Sequence, residues 1–272
     1  MKLKKIVSLI LLLFITIGLA ATLSACSNSS SSKKQTSLEK IKKKGVLTVG
    51  ISASTAPYEF HDKNDKIIGS DVTLIKKIAK KIGVKYKIKD MDFDGLLPAM
   101  QSGKIDMIVS AMSPTKEREK SADFSKVYYK STNVFVTKKD DVKKFNANPD
   151  LLNSSTVAVI NSSTQQQVVQ KNFPKATLKL FSKSTDTALA VVNSKADALL
   201  VDVPTAALLE KTNSSLVNTN IRKSDGTAGA AVAMPNNSTK DLKNAVNSVI
   251  TKYKTNYAKW VLEEVKNVKT SE

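Results

Sequence analysis

The 272-residue chain has one cysteine, one histidine and nine glycines, and each scarcity excludes a class of site. A lone thiol, Cys26, rules out intramolecular disulfides and multi-cysteine metal centres. His61 lies in a polar segment where a histidine is usually solvated, so zinc sites and Ser–His or Cys–His nucleophiles are excluded. The glycines are spread thinly and form no phosphate-binding loop. An enzyme would have to depend on carboxylates, and we expect no cofactor and no metal.

Aromatic residues are also few, at 6%, although lysine and arginine outnumber aspartate and glutamate by 43 to 24 and give a formal net charge of +19. Binding of single-stranded nucleic acid requires a basic stripe interleaved with aromatic residues. Here the lysines are scattered over helix-like faces. We therefore expect no nucleic-acid partner, and interpret the charge as a solvated basic surface beside anionic lipid or wall polymer.

Arginine is almost absent. It occurs only at Arg118 and Arg222, and the other 43 − 2 = 41 basic residues are lysines. The chain thus uses lysine wherever a positive point charge suffices. An arginine that is kept in such a chain is a candidate for a planar donor that binds a carboxylate through two hydrogen bonds.

The amino terminus has a basic start, an apolar run at 6–23 and the tetrad Leu23-Ser24-Ala25-Cys26. This pattern predicts a secretory signal with a processing site, and the tetrad resembles the lipobox of bacterial lipoproteins. We expect residues 1–25 to be removed, Cys26 to carry the lipid, and 26–36 to form a flexible tether. The alternative is a retained transmembrane anchor, since about 18 apolar residues nearly span a bilayer.

The mature 272 − 25 = 247 residues alternate between strand and helix patterns, which predicts an α/β fold. A capping box at Thr36 opens a short helix that ends at Gly45. Asp71 is predicted to cap the next helix, which ends at Gly83. In this half we predict strands at 46–51, 84–88 and 105–109, helices at 71–82 and 93–102, and a loop at 52–60.

A second α/β set follows, with strands predicted at 133–137, 156–160, 178–181 and 198–201, and helices at 164–170, 185–193 and 204–211. A last strand is predicted at 228–234, before helices within 239–268. In both halves a strand delivers hydroxyl residues to its carboxyl end, where open α/β sheets bind ligands. Two such domains facing each other predict a cleft.

The segment 110–118 (SAMSPTKER) follows a buried strand and combines backbone N–H groups, hydroxyls and the guanidinium of Arg118. This set suits a carboxylate. In the other half, Asp202 ends a predicted strand, where it either accepts an ammonium group or caps the following helix. A carboxylate clamp with an ammonium acceptor indicates an α-amino acid.

Over about residues 37–268 the chain resembles the amino-acid-binding lipoproteins of ATP-driven (ABC) importers. The matching stretches, in order, are APYEF (56–60), DFDGLLPA (92–99), GKID (103–106), SPTKER (113–118), DFS (123–125), STQ (163–165) and ADA (196–198). The resemblance implies a two-lobed periplasmic-binding-protein-like (type II) fold with two crossing hinge strands. It implies lobe 1 at 37–129 plus 230–272, lobe 2 at 133–225, and hinges at 130–132 and 226–229.

The resemblance also implies roles for individual residues. Arg118 would grip the ligand carboxylate, aided by the backbone N–H groups of Ser113 and Thr164. Asp202, the Ser113 hydroxyl and the Ala111 carbonyl would hold the ammonium group. Phe93 would lie against the side chain of the ligand, with a core position as the alternative, and Ser110 and Thr55 are further candidate ligand-binding residues. Thr55 stands where relatives usually have a stacking Tyr or Phe, which leaves the identity of the ligand open, as does the orientation of Glu59 and Asp92.

The function implied is that of an extracytoplasmic receptor, held by lipid on the outer face of a cytoplasmic membrane of Gram-positive type, that delivers a free polar amino acid to a membrane permease. Two alternatives remain open at this point. One is a surface adhesin that uses the basic face, and the other is a small-acid dehydratase on the same fold, with Glu59 as its acid.

Overall fold

The computed structural model describes residues 35–267, so the predicted signal peptide, the lipidation at Cys26 and most of the predicted tether lie outside the described residues. Within them are eight α-helices: α1 (Ser37–Lys44), α2 (Ser70–Ile82), α3 (Leu96–Gln101), α4 (Val142–Ala147), α5 (Thr164–Asn172), α6 (Ser184–Val192), α7 (Val203–Thr212) and α8 (Lys240–Asn267).

The same part of the chain contains thirteen strands: β1 (Val46–Ile51), β2 (Ser54–Thr55), β3 (Glu59–His61), β4 (Ile67–Ile68), β5 (Lys85–Asp90), β6 (Met107–Ile108), β7 (Ala122–Tyr129), β8 (Asn133–Lys138), β9 (Thr156–Ile160), β10 (Thr177–Phe181), β11 (Ala198–Asp202), β12 (Leu216–Lys223) and β13 (Ala230–Pro235). Short 3₁₀ turns lie at Phe93–Gly95, Arg118–Lys120 and Pro149–Ser154.

The first sheet has the order β5-β1-β6-β13-β7, in which β5, β1 and β6 run parallel and β13 is antiparallel to its two neighbours. One face is covered by α2 and α8, whose apolar residues share a core with β1 and β13. The residues Val72, Ile75, Ala79 and Ile82 recur along α2 at helical spacing, and all four are buried. A small antiparallel sheet, β2-β3-β4, occupies part of the predicted loop.

The second sheet has the order β10-β9-β11-β8-β12, with β8 antiparallel to both of its neighbours. Its central strands β9 and β11 are apolar runs buried on both faces, because α6 and α7 pack on one side and α5 on the other. We call the parts built on the two sheets the first and second lobes.

The chain crosses between the sheets twice, from β7 to β8 through residues 130–132 and from β12 to β13 through residues 224–229. The two crossings touch at Gly229, whose φ is 120°. A Cβ at this position would lie 2.3 Å from the carbonyl oxygen of Tyr129, so only glycine permits the approach. The domain and hinge boundaries implied by the resemblance stay a prediction, as does movement about these crossings.

The N-terminal caps of two helices, α1 and α2, were predicted from the sequence. The capping box is confirmed: Thr36 Oγ1 accepts from the N–H of Glu39, and a Glu39 carboxylate oxygen accepts from the N–H of Thr36. The prediction that Asp71 caps α2 is wrong. The cap position is Gly69, where a Cβ would lie 2.1 Å from the carbonyl oxygen of Tyr58, and Asp71 turns inwards. No helix within residues 35–267 combines the length and the apolar character needed to cross a membrane.

Candidate functional site

Arg118 joins the two lobes. The strand β6 ends at the rim of the first sheet, and the following turn leads into the 3₁₀ turn that begins at Arg118. Its side chain is buried, with Nη1 donating to the carbonyl of Ser113 (2.7 Å) and Nη2 donating to the carbonyl of Ser162 in the second lobe (2.8 Å). Its guanidinium carbon lies 5.3 Å from the centroid of the Phe93 ring. The guanidinium of Arg118 is therefore hydrogen-bonded to both lobes.

The guanidinium stays charged at neutral pH. Burial lowers the pKa of Arg118 to about 10, and the charge of Asp225 opposes this effect. A guanidinium carries five N–H donors, of which the two carbonyls of Ser113 and Ser162 take one each. The donors that are left can bind a carboxylate through two hydrogen bonds, which a lysine at this position could not reproduce.

Asp202 ends β11 in the second lobe and is the N-cap of α7. Its Oδ1 accepts from the N–H of Thr205 (3.2 Å), and its Oδ2 accepts from the Thr205 hydroxyl (3.0 Å). The cap that the sequence left as an alternative is therefore present. Asp202 also contacts the first lobe, because the Tyr58 hydroxyl donates to Oδ1 (2.7 Å). Burial raises the pKa of Asp202, while the hydrogen bonds from Tyr58 and Thr205 lower it.

Three of the predicted residues meet around one cavity of about 60 Å³ between the lobes: Ala111, Ser113 and Asp202. Thr55 and Asp202 line a neighbouring cavity of about 30 Å³. Arg118 and Phe93 are joined to this group through the hydrogen bond of Arg118 to Ser113. A wider cavity of about 590 Å³ opens beside it and is lined by residues of both lobes: Ser52, Ala53, Ser54, Ala56, Phe60, His61, Asp90, Met91, Asp92, Lys183 and Thr185.

Thr164 is buried and is the first residue of α5, whose N-cap is Ser163. The Ser163 hydroxyl oxygen accepts from the N–H of Gln166 (3.1 Å). The next residue, Gln165, lines both small cavities. The amino ends of α5 and α7 thus both lie at the second lobe's side of the cleft, where helix N–H groups favour negative charge.

Ser110 lies just after β6 and is hydrogen-bonded within the first lobe. Its hydroxyl donates to Glu59 Oε1 (2.7 Å) and accepts from the N–H of Ser52 (3.0 Å), so its polar group is turned to the first lobe's interior. The next residue, Ala111, has a φ of 45°, and its N–H donates to Asp71 Oδ2 (2.7 Å). The backbone of this turn is thereby held in an uncommon left-handed conformation by a buried carboxylate.

Two tyrosines complete the surroundings of Asp71: Tyr257 of α8 donates to Oδ1 (2.6 Å) and Tyr128 of β7 donates to Oδ2 (3.1 Å). Burial raises the pKa of Asp71, and these hydrogen bonds lower it. Burial and the nearby charge of Asp71 raise the pKa of Glu59 well above its ordinary value. The pKa of both carboxyl groups is thus raised by burial, and Asp71 is the one that accepts hydrogen bonds from both tyrosines and from the Ala111 N–H.

Three contributors to the site were not predicted from the sequence. Tyr58, within the quoted stretch 56–60, received no role, although it reaches across to Asp202. Gln165 and the Ser162 carbonyl line or bind the site from the second lobe. The signal for Gln165 was its place one residue after Thr164. Nothing in the sequence indicates which backbone carbonyl meets Arg118. No group of three or more His, Cys, Asp or Glu side chains within 35–267 could hold a metal ion.

The lobes are joined by further direct hydrogen bonds. Asn161 Nδ2 of the second lobe donates to Asp94 Oδ2 of the first (2.8 Å), and the N–H of Ser184 donates to Ser54 Oγ (3.0 Å). With the contacts of Arg118 and Tyr58, four side chains or backbone groups of one lobe are thus hydrogen-bonded to the other lobe. The arrangement is that of a cleft closed between two lobes.

The sequence model of the bacterial extracellular solute-binding proteins, family 3, matches residues 47–263. This chain belongs to that family. A probable histidine-binding protein of Campylobacter jejuni is 35% identical over 77% of this chain and 80% of that protein. The arginine-binding extracellular protein ArtP of Bacillus subtilis is 34% identical over 76% of this chain and 77% of that protein.

A solved structure gives the same result for the fold. An amino acid ABC transporter substrate-binding protein from Streptococcus pneumoniae, bound to L-arginine, superposes with a TM-score of 0.81 at 32% identity over 85% of this chain and 98% of that chain. The predicted family and the predicted two-lobed type II fold are confirmed. These similar proteins are named as binding proteins, so neither the adhesin nor the dehydratase alternative is favoured.

Proposed function

We propose that this family member captures a free amino acid between its lobes and delivers it to the membrane permease of an ABC importer. The observation that carries the proposal is the pair formed by Arg118 and Asp202. Arg118 of the first lobe is buried at the cleft, Asp202 of the second lobe is partly buried there, and each hydrogen-bonds to the opposite lobe. A cation and an anion fixed in this way match the two charges of an amino-acid zwitterion.

The carboxylate of the ligand is assigned to the free N–H donors of Arg118 and to the backbone N–H groups of Ser113 and Thr164. The ammonium group is assigned to Asp202, the Ser113 hydroxyl and the Ala111 carbonyl. Support comes from the common cavity of Ala111, Ser113 and Asp202 and from the position of Thr164 at the amino end of α5.

Phe93 and Thr55 are assigned to the side chain of the ligand, with Ser110 behind them. We propose a cationic amino acid, with L-arginine and L-histidine as first candidates. Two similar proteins are named for arginine or histidine binding. In addition, Asp90 and Asp92 line the wide cavity that adjoins Thr55's strand, where Lys183 is the one lysine among the lining residues described. Carboxylates at this end favour a positive side chain.

Binding, not catalysis, is the proposed role. The carboxyl group of Glu59, which was the candidate acid of the dehydratase alternative, is buried and accepts from Ser110, so it is engaged in supporting the turn. We further propose that the protein works outside the cytoplasm of a Gram-positive type of cell, on the membrane's outer face, anchored by lipid on Cys26. The extracellular family and the sequence around Cys26 support this location.

A thermal-shift screen of residues 27–272 against the twenty common amino acids tests the proposal. A ligand at about 100 times its dissociation constant adds about 2.7 kcal/mol to the free energy of unfolding, which for a chain near this size raises Tm by about 5–11 °C. We expect L-arginine or L-histidine to give this shift. Agmatine, which lacks the carboxylate of arginine, and argininic acid, which lacks its ammonium group, should give much smaller shifts. Equal shifts from all three compounds, or none from any amino acid, would contradict the clamp.

A further inference from the structure

A basic groove lies on the first lobe, away from the residues assigned to the ligand. It has a volume of about 380 Å³ and runs between α2 and α8. Four lysines line it: Lys77, Lys80 and Lys81 from α2, and Lys252 from α8. The remaining lining residues are Ser248, Val249 and Tyr253, so no carboxylate contributes to its wall. We call this surface the α2–α8 groove.

The lysines of the groove are held close to one another. Lys77 Nζ lies 5.3 Å and Lys252 Nζ 5.5 Å from the centroid of the same Tyr253 ring. The ring attracts both ammonium groups, but the two like charges repel each other. None of the four lysines forms a salt bridge within residues 35–267. An anion that enters the groove would therefore meet lysines of both helices that no carboxylate of the described residues neutralises.

The position of the groove relates it to the amino-terminal end of the described chain. Thr36 Oγ1 donates to Asp241 Oδ2 (2.7 Å), and the N–H of Ser37 donates to Thr239 Oγ1 (3.0 Å), so the chain enters beside the start of α8. From there to residues 248–253 is about 10 helical residues, or about 15 Å. The segment 27–35 extends to at most about 30 Å. A lipid on Cys26 would keep the groove within reach of the membrane surface.

We propose that the α2–α8 groove binds the phosphate headgroups of anionic membrane lipids and so sets the orientation of the protein on the membrane. The relation to the tether rests on the proposed lipid anchor, but the groove itself does not. Compact lysine ammonium groups suit headgroup phosphates as point charges. Lysines next to an anionic leaflet each contribute to attraction within about a Debye length of the surface. Lipid phosphate is the anion that fits best, because both the charge of the groove and the length of the tether place it at the membrane.

The test is sedimentation of non-lipidated residues 27–272 with vesicles, which separates the groove from the anchor. Vesicles of phosphatidylglycerol mixed with phosphatidylcholine are compared with phosphatidylcholine alone, at 20 and 150 mM salt. The groove variant replaces Lys77, Lys80 and Lys252 by Gln. The control replaces three exposed lysines of the second lobe, Lys171, Lys175 and Lys195, by Gln and so makes the same change in net charge.

We expect the wild type to bind the phosphatidylglycerol vesicles at both salt concentrations and the phosphatidylcholine vesicles at neither. The groove variant should partition about 100-fold more weakly, since three lysines are lost, and the control should stay within about threefold of the wild type. Equal losses in the two variants would assign binding to net charge and overturn the proposal, as would binding of soluble polyphosphate without binding of vesicles. Unchanged amino-acid binding and Tm in the groove variant show that it is folded and keep this result separate from the proposed function.

Discussion

The substitution Arg118→Lys tests whether the planar guanidinium is needed at the cleft. It keeps the positive charge but replaces five N–H donors on a rigid fork by three on one nitrogen. In the structure the two ends of the fork reach carbonyls on different lobes, Ser113 at 2.7 Å and Ser162 at 2.8 Å. One ammonium nitrogen cannot hold both carbonyls and also bind a carboxylate through two hydrogen bonds.

The magnitude follows from the hydrogen bonds that are lost. A hydrogen bond to a charged group contributes about 1.5–3 kcal/mol. Loss of one hydrogen bond to the ligand and one to the second lobe totals about 3–6 kcal/mol. Rearrangement of the lysine side chain recovers part of this free energy. At about 1.4 kcal/mol for each factor of ten, we expect the dissociation constant for the best amino acid to rise by two to three orders of magnitude. Arg118→Ala should be at least as severe, because it leaves buried carbonyls without donors.

Isothermal titration calorimetry measures this effect, and the chain provides a matched control. Arg222 on β12 is the only other arginine and is exposed, with one long hydrogen bond from Nη1 to the carbonyl of Thr219 (3.4 Å). Arg222→Lys should leave the dissociation constant within about twofold of the wild type. If Arg118→Lys has the wild-type affinity and an unchanged Tm, the guanidinium is not part of the binding site and the zwitterion clamp is wrong.

Two further predictions concern the carboxyl groups of Asp202 and Glu59. Asp202→Asn keeps the helix cap but removes the charge, so affinity for the amino acid should fall about 10- to 100-fold at neutral pH, with no comparable loss for argininic acid. Because burial raises the pKa of Asp202, wild-type affinity should decline as pH falls through that pKa, and a calorimetric pH series in which the Asn variant declines equally would refute the assignment. Glu59→Gln imitates the protonated form of Glu59. In the folded state the pKa of Glu59 is raised by burial and by the charge of Asp71. The wild type binds more protons folded than unfolded between the two pKa values, so its stability is full below the unfolded pKa and declines as pH rises towards the folded one. Urea unfolding should show that the Gln variant lacks this decline, and parallel curves for the two proteins at pH 4 and pH 7 would count against a raised pKa of Glu59.

The α/β pattern was predictable wherever local signals coincide with packing. Strand 156–160 and the helix that ends at Gly45 match their predicted bounds, because a short apolar run and a glycine stop are local signals. The segment 52–60 was predicted as a loop, yet it contains β2 and the start of β3. These strands are two and three residues long; β2 pairs with β3, and β4 adds a third strand from outside the segment.

The carboxyl end of the chain shows the same limit. Helices were predicted within 239–268, whereas the described residues form one continuous helix, α8. Its apolar residues pack against the first sheet, and Tyr257 hydrogen-bonds to Asp71, which is 186 residues earlier in the sequence. A capping aspartate and a buried acceptor look alike in sequence, because both are an aspartate at a helix start.

The sequence by itself determined the chemistry that is available: one thiol, one histidine, two arginines, and motifs whose order resembles one family. It also determined the alternation of strands and helices, since periodicity and stop signals are properties of neighbouring residues. The tertiary structure alone decided which groups meet. That Arg118 donates to Ser162, that Tyr58 reaches Asp202, and that Glu59 and Asp71 lie buried beneath the same turn depend on contacts between distant segments, and burial in those contacts is what shifts their pKa values.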